Sequence, residues 1–365
     1  MMRLFSPGRF ISEGVTMYKI SSSEERNEKA SDFETYSLLY VINFYPDADD
    51  TDYLVIDFFN DVTGVSRNAD SCVDVQSKGL ENMQPAELGK SLVTLFKNYL
   101  SDFSSSFKCY ILFVNGVSLS VKKCIGERTE FSIGDLSEPI KKSVVSALAE
   151  EAKKKTYIET KKRVNESEIN AFLTKVLFVI NSYTKEQYIR LTAKLNESVV
   201  IDDAILRKIF KEIRDRQSSK KNNNVEGQLL SSVGDFVKFD KWIKKEAIEN
   251  LVLCRICFKR DLDSMKKSSI PASFVDVYQS IDVDRREETL DDCKNAIYRL
   301  LYNKNNGQAF WALFSQIVRL NNANPGMDAG QLYLLVDRSL LAKIHELDIL
   351  SAKYFIALVK EGLGC

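Results

Sequence analysis

Between Tyr53 and Phe59 the chain is rich in valine, isoleucine and aromatic residues, a composition that predicts a strand. On strand periodicity Asp57 and Asp61 share one parity, and Leu54, Ile56 and Phe58 share the other. Gly64 and the polar run Ser66 to Ser71 predict a turn into a second strand, Cys72 to Ser77, whose polar face carries Asp74, Gln76 and Lys78. A hairpin of this kind can bring the two polar faces together, although the spacing does not fix the register. Ahead of it, Ala30, Phe33, Ser37, Val41 and Phe44 recur at helical spacing and predict a helix from about Glu24 to Tyr45, ended by Pro46. Glu34 lies close to that helix's apolar face, from which it could point toward a metal site. Pro85 and Glu87 open a further helix to about Tyr99, and Phe107 to Asn115 reads as a buried central strand closed by Gly116.

Beyond Glu130 the pattern changes. Pro139 to Lys155 is helical, and Thr156 to Val164 reads as a last strand or a connector. From there the spacing predicts helices over Ile169–Asn181, Lys185–Ala193, Asp202–Arg216, Lys238–Lys259, Thr289–Tyr302, Gln308–Leu320 and Gly330–Val359. The polar stretch Gln217 to Gln228 reads as a flexible surface loop. The expected fold class is therefore α/β: a mixed sheet flanked by helices over residues 1–155, followed by a mostly α-helical domain over 156–365.

Composition narrows the chemistry. The 365 residues hold 51 basic and 51 acidic side chains, so any nucleic-acid surface must be a local patch. Clusters at Lys153–Lys155, Lys161–Arg163, Arg214–Lys221 and Lys241–Lys245 are candidates to track a DNA backbone, although such clusters are more often solvated helix faces. Seven irregularly spaced cysteines point to reduced thiols and a cytoplasmic location, and no run is apolar enough to cross a membrane. Cys254 and Cys257 form a lone Cys-x-x-Cys in an apolar stretch, which reads as core. His345 is the only histidine, in a stretch read as amphipathic helix, so Ser-His-Asp, Cys-His and most zinc chemistries have too few imidazoles. No phosphate-binding Gly-x-x-x-x-Gly-Lys-Ser/Thr loop is present.

Oxygen donors remain. Cleaving a phosphodiester needs charge neutralisation at the phosphate, an activated water and help for the leaving oxygen. A hard cation such as Mg²⁺ or Mn²⁺ meets much of this need through oxygen ligands. Asp61 offers a carboxylate and Gln76 a carbonyl oxygen, and Lys78 on the same face as Gln76 would orient the water and stabilise charge. Asp57 or Asp74, and Glu34 from the preceding helix, are further contacts open to the same cation.

Acid-x-x-x-Asp on one strand followed by Gln-x-Lys on the next resembles the PD-(D/E)xK nuclease superfamily in its glutamine variant. Asp57-Phe58-Phe59-Asn60-Asp61-Val62, then Val75-Gln76-Ser77-Lys78, then a helix and Tyr110-Ile111-Leu112-Phe113-Val114-Asn115, is similar to the double-stranded DNA nuclease domain of bacterial anti-phage effectors. These include CBASS endonucleases and the nuclease subunit of Lamassu systems. The similarity runs from about Ser31 to Asn115, and more faintly through Phe172–Val176 to about Arg216. Asp57 stands where the family often has glutamate, and Ser77 where a small aliphatic residue is common.

The resemblance implies a metal-dependent double-stranded DNA endonuclease with Asp61, Gln76 and Lys78 as catalytic residues. It also implies restraint by partners, an SMC-like ATPase and a small accessory subunit, and activation through self-association into a homo-oligomer. A nuclease-like scaffold that no longer cuts is the competing reading, and RNA cleavage by the same chemistry is a third.

Overall fold

The computed structural model describes residues 18–20, 31–45, 50–158, 164–194, 201–221, 225–257, 270–302 and 308–363. The chain divides into two units that exchange segments. One comprises residues 1–38, 49–182 and 216–242, and the other 39–48, 183–215 and 243–365. The expected boundary at 155/156 falls inside the first unit, because one strand and one helix of that unit still follow it and a third segment returns to it after residue 215.

In chain order the elements of the first unit are β1 (Tyr18–Lys19), α1 (Asp32–Asn43, which runs on into the second unit), β2 (Thr51–Ile56), β3 (Val62–Ser66) and β4 (Cys72–Lys78). They continue with α2 (Pro85–Ser91), α3 (Val93–Leu100), β5 (Phe107–Val114), α4 (Leu119–Ile125), β6 (Glu130–Phe131) and α5 (Glu138–Lys154). The last are α6 (Glu166–Leu173), β7 (Val176–Ile180), β8 (Leu229–Leu230) and β9 (Trp242–Lys244). Seven strands form one mixed sheet in the order β6-β7-β5-β4-β3-β2-β9. β2, β3 and β4 make an antiparallel meander, and β4, β5 and β7 run parallel. A two-stranded ribbon pairs β1 with β8.

The sheet is covered by helices, which is why its central strand reads as an unbroken apolar run: Tyr110 to Val114 are all fully buried. Helices α2 and α5 come close enough that a Cβ on Gly89 would stand 2.3 Å from the Val144 carbonyl oxygen. At Gly116 a Cβ would meet the Glu81 carbonyl at 2.1 Å, so only glycine lets the exits of β4 and β5 approach.

Three expectations for this unit are corrected. The meander has a strand, β3, in the place read as a turn. Val62, Thr63 and Val65 are β-branched and fully buried, and the Gly64 between them does not interrupt the pairing. The helix read over Ile169–Asn181 is α6 followed by β7. The Val-Leu-Phe-Val-Ile run supplies a strand, and Lys175 N–H bonds the Phe172 carbonyl in the reversal between them. The stretch read as a loop over Gln217 to Gln228 begins as the end of a helix, Asp203–Ser219, with Gln217 fully buried on the Thr35 hydroxyl; further on, Val225 lies in the core and Gln228 accepts from Ile20 N–H.

The second unit is mostly helical around a core containing Phe274, Leu313, Phe314, Phe355 and Ile356. The predicted helix Lys185–Ala193 has those bounds, with Thr184 capping it. Lys238–Lys259 starts instead as a 3₁₀ turn, Val233–Lys238, and β9, before the helix Lys245–Cys257. The single helix read over Gly330–Val359 is three, Ala329–Leu335, Arg338–Leu341 and Ile349–Gly362. Asp328, Asp337 and Asp348 each cap a new start. His345 is exposed in the turn before the last of them, not on a helix.

Candidate active site

The site starts at the reversal between β2 and β3. β2 ends at Ile56, and Asp57 turns the chain with a left-handed φ of 48°, a conformation that aspartate tolerates better than most residues. Asp57 N–H closes the turn on the Asp61 carbonyl at 3.2 Å. Phe58 and Phe59 are both buried, which a strand could not achieve on one face. Burying both pins the turn into the core and replaces the strand that the sequence suggested through Phe59. The alignment of Asp57 with Asp61 by strand parity is therefore overturned. The two carboxylates come from the two ends of one turn.

Register then does what the spacing left open. Val62 pairs with Val75, so Asp61, one step earlier, stands beside Gln76. The Gln76 side-chain amide donates to Asp61 Oδ2 at 2.9 Å, and so do Ser77 N–H at 2.7 Å and Ser77 Oγ at 2.6 Å. Ser77, which the sequence marked only as a departure from a family pattern, is thus a main support of the aspartate. The Gln76 carbonyl oxygen accepts from the Thr94 hydroxyl of α3 at 2.7 Å. Lys78 follows on the same parity as Gln76, half-buried at the end of β4.

Asp74, two residues before Gln76 on the same parity, is sealed from solvent. Its oxygens accept from Thr63 Oγ1 at 2.9 Å, from Asn98 Nδ2 at 2.7 Å and from Asn60 Nδ2. The Tyr18 hydroxyl donates to Asn98 Oδ1 at 2.7 Å and extends the network. Burial raises the Asp74 carboxyl to about 6 against the pull of its three donors, with the Asp61 charge adding to the rise. This occupied, enclosed carboxylate takes no part as a ligand, contrary to the alternative that the sequence left open.

Glu34 and Asp57, by contrast, have charged partners. Glu34 of α1 is paired with Lys221 at 2.7 Å, both side chains largely buried. Burial and the charges of Asp61 and Asp57 push the Glu34 carboxyl up, and Lys221 opposes them. Lys241, just before β9, is 1% exposed. Its ammonium donates to the Asp57 carbonyl at 3.0 Å, to Asp57 Oδ2 at 3.3 Å and to the Lys221 carbonyl at 3.4 Å. The main chain of Lys241 also accepts from Ile56 N–H at 2.7 Å, so this one residue grips both sides of the turn's entry.

The donor types suit a hard cation, but the arrangement does not. The Gln76 carbonyl is taken by Thr94, Asp61 Oδ2 by three donors, and Glu34 by an ammonium. Among the described residues no three histidine, cysteine, aspartate or glutamate side chains stand together as a metal-holding group. In this form the residues do not fit a bound Mg²⁺.

Lys221 and Lys241 belong to basic clusters that the sequence offered either as a DNA-tracking patch or, more often the case, as solvated helix faces. Both are buried with carboxylate partners, and Lys245 is buried as well. Lys220 pairs with Asp240 and Lys155 with Glu151, while Lys161–Arg163 lies outside the described residues. Cys254 is a core residue, as its apolar setting suggested. Among the described residues no helix is long and apolar enough to cross a membrane. No protein-family model, curated protein or solved structure matches the chain.

Proposed function

We propose that the protein is a metal-dependent DNA endonuclease, an effector of a bacterial anti-phage defence complex similar to the nuclease subunit of Lamassu systems. The observation that carries this reading is the cross-strand contact of Asp61 with Gln76, with Lys78 two residues on at the same face of β4. It sets a carboxylate against an amide that lies 15 residues further along the chain, on the strand that also carries the lysine. In the reaction Lys78 would hold the attacking water and offset charge on the phosphate, and Asp61, positioned by Ser77, would carry the negative charge around which the site is built. Mg²⁺ or Mn²⁺ belongs to this reading as cofactor, to be taken up in a form of the site other than the one described. Restraint by an SMC-like ATPase and a small accessory subunit, and self-association on activation, belong to it too.

The second reading, a nuclease-like scaffold without cutting activity, is favoured by the internal engagement of every proposed ligand. Plasmid DNA incubated with the chain, Mg²⁺ or Mn²⁺ and, in parallel, the activating partners tests both. Lys78→Ala and Asp61→Ala should each lower cleavage by about 100-fold or more, the usual scale for removing a group that acts on the transition state. Equal cutting by wild type and both variants would sink the assignment. RNA in place of DNA tests the choice of substrate.

A further inference from the structure

Two lysines stand where the reading above calls for a divalent cation. We infer that Lys221 and Lys241 are built-in counter-ions that keep the site closed to metal, and that the segment carrying them must let go before a cation can enter. The inference rests on the proposed metal-dependent reading and concerns how that site is regulated.

Glu34 is largely buried 2.7 Å from Lys221, and Asp57 stands 3.3 Å from Lys241, and carboxylates so placed need compensation wherever water is scarce. The compensation present is two ammonium groups, with side-chain exposures of 7% for Lys221 and 1% for Lys241. They are also coupled. Lys241 donates to the Lys221 main-chain carbonyl while it holds Asp57, and Lys221 holds Glu34. A cation taken up by Glu34 and Asp61 must therefore compete with Lys221 directly, and loss of that contact loosens the neighbour held by Lys241.

The segment is moored as well as charged. Phe239 packs on Phe58 within the turn at 5.5 Å between ring centroids, and Tyr53 of β2 meets Phe236 and Trp242 at 5.3 Å each. Lys221 and residues 236–242 thus reach the turn and its flanks through aromatic contacts at the strand side and through ammonium groups at the carboxylate side. An event that displaces this segment would take the ammonium partners from Asp57 and Glu34 together.

The test is Mn²⁺ binding by the full chain without DNA, read from the electron paramagnetic resonance of free Mn²⁺, beside Lys221→Met and Lys221→Met/Glu34→Gln. A neighbouring charge at ion-pair distance moves a proton equilibrium by about one to three units, so Lys221→Met should bind Mn²⁺ at least about tenfold tighter than wild type. Adding Glu34→Gln should remove the gain. An unchanged affinity in folded Lys221→Met, or a gain that survives Glu34→Gln, would overturn the inference. If Lys221→Met lacks a cooperative melting transition, Lys221→Gln, which keeps a donor for Glu34 but no charge, takes its place with the same expected and overturning results. The two readings fail separately. Tighter Mn²⁺ binding without any DNA cleavage supports the lock and rejects the nuclease. Cleavage by wild type, with metal affinity unmoved in the lysine variants, keeps the nuclease and rejects the lock.

Discussion

Asp74 lies on β4 and Asp61 in the turn that leads into β3, and the protein treats them in opposite ways. Asp74 is enclosed and met only by neutral donors, two asparagine amides and a threonine hydroxyl. Asp61 is half-buried and met by neutral donors from Gln76 and Ser77, and its charge acts on Glu34, which like Asp57 is held by a lysine. A carboxylate with a complete set of neutral donors is a structural element: it has nothing to offer a ligand, and removing it strands several buried groups. A carboxylate inside a cluster of competing charges can change partners. The difference assigns stability to the first and reactivity to the second.

The sharpest way to break this division is to truncate both. Asp74→Ala leaves the amides of Asn60 and Asn98 and the hydroxyl of Thr63 without their acceptor, at about 1–3 kcal/mol for each stranded donor with partial relief by relaxation. We expect about 3–5 kcal/mol lost in urea unfolding. Asp61→Ala removes an acceptor too, but it relieves repulsion with Glu34 at a half-buried position, and should lose about 1 kcal/mol. Equal losses would show that the two carboxylates are not different in kind.

A pH series sharpens the same contrast. The Asp74 carboxyl is raised by burial from 3.8 in an open chain to about 6 in the fold. Between those values the folded state holds a proton that the unfolded state has released, so stability falls as pH rises through the window. The gap corresponds to a loss on the order of 2–3 kcal/mol. Asn60 offers a place for that proton: its buried Oδ1 has no donor, and turning the amide over would present it to a protonated Asp74. Glu34, also raised, slopes in the same direction, so the measurement is the difference between wild type and Asp74→Asn from about pH 3.5 to 6.5. A variant that slopes as steeply as wild type would rule out Asp74 as the source.

How much of this the sequence disclosed depends on whether the signal was local. The apolar run of β5 and the Thr184-capped helix Lys185–Ala193 carry their structure in neighbouring residues, and both were legible. Gln76 and Lys78 shared a face for the simple reason that strands alternate. The turn at Asp57 was not legible, because the side chains that bury Phe58 and Phe59 come from far along the chain, Phe239 and Tyr18 among them. Lys221 and Lys241 looked like surface charge for the same reason: nothing near them in sequence announces Glu34 or Asp57. Ser77 gave a faint signal, as a hydroxyl in a strand otherwise rich in valine. Its role required the register that sets Asp61 against β4.

The smallest expected effect comes from helix α3, which serves both carboxylates from positions one turn apart. Thr94 supports the Asp61 side by donating to the Gln76 carbonyl, and Asn98 supports Asp74. Thr94→Val keeps the shape and removes one hydroxyl, leaving the Gln76 carbonyl without that donor, and should lower stability by about 1 kcal/mol. The same change frees the Gln76 amide to turn its oxygen toward Asp61, the orientation a cation shared by the two side chains would need. Thr94→Val should therefore bind Mn²⁺ more tightly than wild type in spite of being less stable. A variant that loses stability and also loses metal affinity would mean that Thr94 positions Gln76 for the ion. In that case the division between a structural and a reactive carboxylate would have to be redrawn with α3 on the reactive side.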